Sequence, residues 1–199
     1  MRTPKDVYSD MFGIGSYARH PESEPRYVFA MSALREINPR SVAEVGCGRG
    51  VFRKMVMSAF PDVEYTCYDV GNFMAGNIPV TCVDLEDRQS RIAAFVHPGS
   101  GFRKDVLVAT DVLEHLDESA IDGLLCDLFH EAPSLVLTIA HHAETYGDDV
   151  LHKIVESPDW WRDRLTSMRR WKIVREEPVF VCQASGVLST GYVLADASL

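Results

Sequence analysis

The stretch Val42-Ala43-Glu44-Val45-Gly46-Cys47-Gly48-Arg49-Gly50 constrains this chain more than any other. An apolar run of strand character passes without a spacer into three glycines at alternate positions. A helical pattern, from about Val51 to Phe60, follows at once. Glycine suits such a turn for two reasons. A tight strand-to-helix connection calls for positive φ, and a ligand that approaches the backbone leaves no room for a Cβ. The helix beyond the turn offers unpaired N–H groups. The spacing is Gly-x-Gly-x-Gly, not Gly-x-Gly-x-x-Gly, and no Lys-Ser/Thr follows, which sets a phosphate-binding P-loop aside.

The rest of the chain alternates short β-rich apolar runs with helical spacing. Tyr27–Ile37 reads as a helix with Val28, Met31, Leu34 and Ile37 on one face, stopped by Asn38-Pro39. Strands are expected at Ser41–Val45, Glu64–Asp69, Val80–Val83, Asp105–Thr110 and Ser134–Ala140. Helices are expected over Ser90–Val96 and over Glu118–Phe129, the latter with Ile121, Leu124, Leu125 and Leu128 inward. This alternation predicts βαβ units and a parallel sheet. His141–Ile154 is polar and irregular. Ser157-Pro158-Asp159 starts a helix that runs to about Met168, with proline suited to the first turn. Trp171–Glu176, Val179–Gln183 and Val187–Ala195 read as closing strands, the last two as an antiparallel hairpin. The expected fold class is α/β: a mostly parallel seven-stranded sheet, an antiparallel closing hairpin and helices on both faces.

At 199 residues the chain suffices for one domain with a full core. The net charge of -9 disfavours nonspecific attraction to phosphate backbones, so nucleic acid is the less favoured partner. The five cysteines form no CxxC pair, and reduced thiols are expected. The N-terminus has no apolar core of a signal peptide, and no apolar run reaches the roughly 20 residues of a membrane helix. A cytoplasmic location with no membrane partner is expected. The oligomeric state is left open, a homodimer included.

Acidic residues stand at the ends of the expected strands: Asp69 about 20 residues beyond the glycines, then Asp84 and Asp111. Ligands of open α/β sheets bind outside the carboxyl ends of the strands. The glycine turn and these three carboxylates therefore face one crevice.

Glu44–Gly50 resembles motif I of the class I S-adenosylmethionine-dependent methyltransferases. Asp69 is similar to their ribose-binding acid, and Val83-Asp84-Leu85 to their adenine-binding segment. Asp111-Val112-Leu113-Glu114-His115-Leu116 resembles a stretch frequent in the subgroup that methylates small molecules. The resemblance covers about Val42 to Ala140. It implies a single Rossmann-like methyltransferase domain over 26–199, with 1–25 as a lid or loop segment. It further implies S-adenosylmethionine as cofactor and a small-molecule acceptor methylated on oxygen or nitrogen. Glu44 would hold the methionine amino group, and Gly46, Cys47 and Gly48 would pass close to the methionine and ribose. Asp69, with Val70 beside it, would take the ribose; Asp84 and Leu85 would take the adenine. Asp111 would lie near the methionine, and Tyr17 and Arg19 would reach its carboxylate from the lid.

Methyl transfer to a hydroxyl or amine needs a proton acceptor, and histidine suits that task near neutral pH. His142 or His141, after the fifth strand, is the favoured candidate, and His115 after the fourth is a further one. Asp111-x-x-Glu114-His115 with a later histidine also resembles the metal-ligand pattern of small-RNA 2′-O-methyltransferases. That pattern goes with an alternative acceptor, an RNA terminus or nucleotide; a catalytically silent cofactor-binding partner subunit is a further alternative. Asp111 replaces the pattern's first glutamate, and the separation from His115 to His141 or His142 is short, so no metal ligand is assigned. In the basic, tryptophan-rich segment Trp160–Arg175, the helical part reads as one that buries Trp161 and Leu165 and solvates its arginines.

Overall fold

Alternate residues of the central strands feed two different cores. The computed structural model describes residues 3–13, 24–73, 78–96, 104–167, 169–182 and 186–198. Its strands are β1 (Ser41–Val45), β2 (Glu64–Asp69), β3 (Thr81–Cys82), β4 (Val106–Thr110), β5 (Ser134–Ala140), β6 (Thr145–Tyr146), β7 (Asp149–Val150), β8 (Trp171–Cys182) and β9 (Gly186–Asp196). Its helices are α1 (Pro4–Gly13), α2 (Pro25–Ile37), α3 (Val51–Ala59), α4 (Arg88–Arg91), α5 (Glu118–Glu131) and α6 (Pro158–Thr166). Val42, Val106, Val108 and Val136 point to one face, against Tyr27, Met31 and Leu34 of α2 and Phe52 and Val56 of α3. Ala43, Val45, Leu107, Ala109, Leu135 and Leu137 point to the other, against Ile121, Leu125 and Leu128 of α5 and Trp161 and Leu165 of α6. A parallel sheet covered on both faces accounts for the apolar runs Val106–Ala109 of β4 and Leu135–Leu137 of β5.

The sheet order is β3-β2-β1-β4-β5-β9-β8. The first five strands are parallel; β9 runs antiparallel to β5, and β8 antiparallel to β9. This is the expected seven-stranded sheet, and its order reverses beside β1, which opens a crevice at the carboxyl ends of β1 and β4.

Four local expectations need correction. The closing strands number two, not three, because β8 continues through Pro178. β8 is an edge strand, and its register against β9 slips between Pro178 and Phe180, the kind of place a sheet accepts proline. Met31 and Leu34 of the expected α2 face are buried, but Val28 is half exposed, and Tyr27 and Ala30 complete the buried stripe instead. The segment after β5 is not wholly irregular, since β6 and β7 pair around Gly147, whose φ of 61° makes the two-residue turn. The helix expected from Ser90 is capped earlier: Asp87 accepts hydrogen bonds from the Gln89 and Ser90 N–H groups, and α4 runs on into a π turn over Ile92–Val96. By contrast, Ser157 caps α6 and Pro158 opens it, as the sequence indicates.

Gly191 of β9 explains how α2 seats on the sheet. A Cβ there would meet the Phe29 ring at 2.6 Å, so the ring lies on bare backbone. Within the segment expected as a lid or loop, α1 is formed; Tyr17 and Arg19 lie outside the described residues. No described helix is long and apolar enough to cross a membrane.

Candidate functional site

The three glycines of the β1–α3 turn have left-handed backbones, with φ of 74° at Gly46, 49° at Gly48 and 70° at Gly50. At Gly46 space is lacking as well, because a Cβ would overlap the Val112 Cγ2 methyl. The Gly46 N–H donates to the Tyr68 carbonyl at 2.8 Å, which continues the β1–β2 ladder into the turn. The Gly48 N–H donates to Asp69 Oδ2 at 2.7 Å. The strand-end acid and the glycine loop thereby fix one another. Burial raises the Asp69 carboxyl above the usual range, opposed by the backbone N–H groups of Gly48, Val70 and Gly71.

Around this turn lies a cavity of about 400 Å³. Of the residues expected from sequence, Gly46, Cys47, Gly48, Asp69, Val70, Asp84, Leu85, Asp111 and His115 line it. Glu44 does not. It is buried under the turn, accepts the Tyr65 hydroxyl at 2.7 Å, and burial raises its carboxyl well above the usual value. His141 and His142 are also away from the wall. The His141 ring is clamped at both nitrogens, with Nδ1–H donating to the Glu156 carbonyl at 3.0 Å and Nε2 2.9 Å from the Thr190 hydroxyl. His142 is exposed, with Nδ1 3.3 Å from the Leu188 carbonyl. His115 alone of the three candidate bases faces the cavity.

Sequence reading missed part of the wall. Val7 and Tyr8 of α1, Arg26 and Tyr27 at the start of α2, and Lys153 also line the cavity. The Arg26 guanidinium is hydrogen-bonded to Asp111, and the Thr138 hydroxyl donates to the other Asp111 oxygen at 3.0 Å. Asp111 itself has a φ of 52°. A non-glycine residue held left-handed at a strand end stores strain, as functional sites often do. Lys153 bridges Glu86 at 2.7 Å and Asp117 at 2.9 Å, which closes the side of the cavity near Asp84 and Leu85. Only Arg26 left a faint trace in the sequence, as a cation at a helix start, where the dipole does not favour it.

Behind His115 lies a cluster of polar groups. The His115 Nδ1–H donates to the Leu151 carbonyl at 3.0 Å, and burial followed by nearby His152 pushes its pKa down to about 4. Glu114 is fully buried; its Oε1 accepts from the Ala140 N–H at 2.7 Å and its Oε2 has no hydrogen-bond partner among the described residues. Burial, and then Asp111, raise its pKa to about 8. His152 is packed edge-on to His115 and sits 3.0 Å from Glu144. Burial pulls the His152 pKa down, but Glu144 and the His142 carbonyl outweigh it and leave it raised. One ligand atom each from Glu114, His115 and His152 lie within 4.8 Å of one another. Of the metal-ligand pattern suggested by Asp111, Glu114, His115 and a later histidine, Glu114 and His115 thus meet a histidine, His152. Asp111 is hydrogen-bonded to Arg26 and Thr138 and stands outside that group.

No family model and no curated protein sequence matches the chain. Solved structures do. The methyltransferase domain of bacterial CtHen1 superposes with a TM-score of 0.62 at 15% identity, over 86% of this chain and 98% of that one. DhpI in complex with S-adenosylhomocysteine (SAH) gives 0.61 at 13% identity, over 99% and 100%. The plantazolicin methyltransferase BpumL, bound to a triazolic desmethylplantazolicin analogue and SAH, gives 0.64 at 12% identity, over 97% and 91%. The glycine turn, the strand-end acids, the sheet order and these superpositions agree: the chain has the class I methyltransferase fold.

Proposed function

We propose that the protein transfers a methyl group from S-adenosylmethionine to an oxygen or nitrogen of a small-molecule acceptor. The observation that carries this reading is the convergence of the glycine turn with Asp69, Asp84 and Asp111 on one cavity at the carboxyl ends of the strands. DhpI and BpumL, similar in fold, were both solved with SAH bound. The cradle fits such a cofactor: Gly46 and Gly48 present bare backbone, and Asp69 stands at the end of β2 to accept the ribose hydroxyls. Asp84 and Leu85 would flank the adenine, and Arg26 and Asp111 would face the amino-acid end. The bound cofactor supplies an activated methyl on a good leaving group.

What remains for the protein is alignment, exclusion of water and a place for the acceptor's proton. His115 is the group suited to the last task. Its Nδ1–H is held on the Leu151 carbonyl, which leaves Nε2 with its lone pair, and its lowered pKa keeps the ring in the base form at neutral pH. The acidic net charge supports a small acceptor over a nucleic acid. Calorimetry with S-adenosylmethionine and SAH tests the cofactor. A screen of metabolite and nucleotide acceptors, read by SAH release, tests the reaction. No binding at millimolar ligand would remove the reading.

A further inference from the structure

The strongest unassigned chemistry lies on the far side of His152 from the cavity. His142, Glu144 and His152 each offer one ligand atom, and these atoms lie within 4.8 Å of one another. None of the three lines the cofactor cavity. Both imidazoles are held from behind. The His152 Nδ1 is 2.6 Å from the His142 carbonyl and the His142 Nδ1 is 3.3 Å from the Leu188 carbonyl. A carbonyl only accepts, so both rings donate Nδ1–H and turn Nε2 outward. Pinning one ring nitrogen on a carbonyl while the other faces the metal is how proteins orient metal-binding histidines.

The backbone also builds the site in advance. β6 and β7 pair around Gly147, and the Leu151 and His152 N–H groups both reach the Glu144 carbonyl, at 2.9 and 3.4 Å. Residues eight apart in sequence are thus brought side by side. Glu144 Oε2 lies 3.0 Å from His152 Nε2. A carboxylate oxygen and a ring nitrogen at that distance require a positive charge between them, either a proton or a cation. The His142 and Glu144 side chains reach solvent, whereas His152 is buried, so an ion can enter and keep water in its open positions.

We propose that His142, Glu144 and His152 form a binding site for a divalent transition-metal cation. Two imidazoles and one carboxylate suit Zn²⁺, Co²⁺ or Fe²⁺ better than the hard, all-oxygen cations. The ion takes the place of the proton on His152 Nε2, which leaves to solvent. Its consequence is positional. The hairpin carrying the ligands continues into Asp149, Val150 and Leu151 of the cavity wall, and Leu151 holds His115. An ion at this site staples that wall to the end of β5.

The test uses the full chain, free of any histidine tag and stripped with chelator, titrated with Co²⁺ and followed by its visible absorption. Zn²⁺ competition reports affinity. One equivalent is expected to bind. H142A and E144Q, both at solvent-reaching side chains, are each expected to weaken binding at least tenfold, and E114Q to leave it unchanged. Absence of stoichiometric binding overturns the proposal. So does loss of binding in E114Q with H142A and E144Q unaffected, which would put the ion between Glu114, His115 and His152 instead. Circular dichroism of each variant verifies that the fold is kept.

Discussion

Replacing Gly46 with alanine puts two separate costs on the turn that links β1 to α3. The first is conformational. Gly46 has a φ of 74°, and an L-residue in that region costs roughly 1–2 kcal/mol. The second is steric. The new Cβ overlaps Val112 Cγ2, and Val112, being β-branched and buried, cannot swing aside as a long side chain would. Overpacking of this kind costs about 1–3 kcal/mol. Together the loss is roughly 2–5 kcal/mol, a large fraction of the stability of an ordinary domain. For a chain of this length each kcal/mol moves Tm by about 2–4 °C, so thermal unfolding should fall by roughly 4–20 °C.

The two costs can be separated by measuring G46A again in a Val112→Ala background. There the overlap is relieved and only the dihedral cost, about 1–2 kcal/mol, should remain. Cofactor affinity should fall in parallel, by at least about tenfold, because displacing Gly46 shifts Gly48 and the Asp69 carboxylate bonded to it. Circular dichroism melts and calorimetry with SAH provide both readings. If G46A melts with the parent and binds SAH equally well, the argument that backbone geometry and Val112 together demand glycine here is refuted.

Asp69→Ala should leave the fold intact and raise the dissociation constant for SAH by about 10–100-fold, the loss of a charged hydrogen-bond acceptor, as calorimetry would show. His115→Ala should lower kcat by about 10²–10⁴-fold with cofactor affinity little changed; equal loss in both would make His115 a wall residue instead of a base. Glu114 should leave a mark on pH dependence. Its folded-state pKa is raised to about 8, so the folded state binds the extra proton between the unfolded value near 4.5 and 8. Its contribution is full below pH 4.5 and is lost as pH rises through 8. Glu114→Gln should therefore flatten the decline in stability between pH 5.5 and 7.5 in urea unfolding; an unchanged slope would show that Glu114 does not carry it.

The parts of the molecule that were legible from sequence are those whose signal is local. The glycine turn announces itself because three residues in five must lack a side chain. The runs of β4 and β5 are largely apolar because both faces of the sheet are covered, and Asp69 and Asp111 stand directly at the ends of β2 and β4. Ser157-Pro158 marks a helix start by chain chemistry alone. What escaped reading is made by distant contacts. Arg26 pairs with Asp111, 85 residues away, and nothing near Arg26 indicates that partner. His152 gains its neighbours only when the β6–β7 hairpin folds back, and the two short strands carry too little pattern to be seen. Among the histidines adjacent to strand ends, the sequence favours His142 or His141, neither of which lines the cavity. Only the fold separates His115, on the cavity wall, from His141, clamped between Glu156 and Thr190.

Glu114 holds both ends of the excursion that follows β5. Its Oε1 accepts from the Ala140 N–H, and its carbonyl accepts from the Lys153 and Ile154 N–H groups. The chain leaves the sheet and returns at one buried residue, so everything between is a closed loop whose ends are fixed. The entropy of such a loop depends only weakly on its length. Exchanging the hairpin tip at Tyr146–Asp149 for a longer or shorter one should therefore leave the glycine turn and Asp69 undisturbed while reshaping the wall beside His115. In engineering terms, residues 145–150 form a cassette: a stretch whose exchange leaves both of its anchors on Glu114 in place.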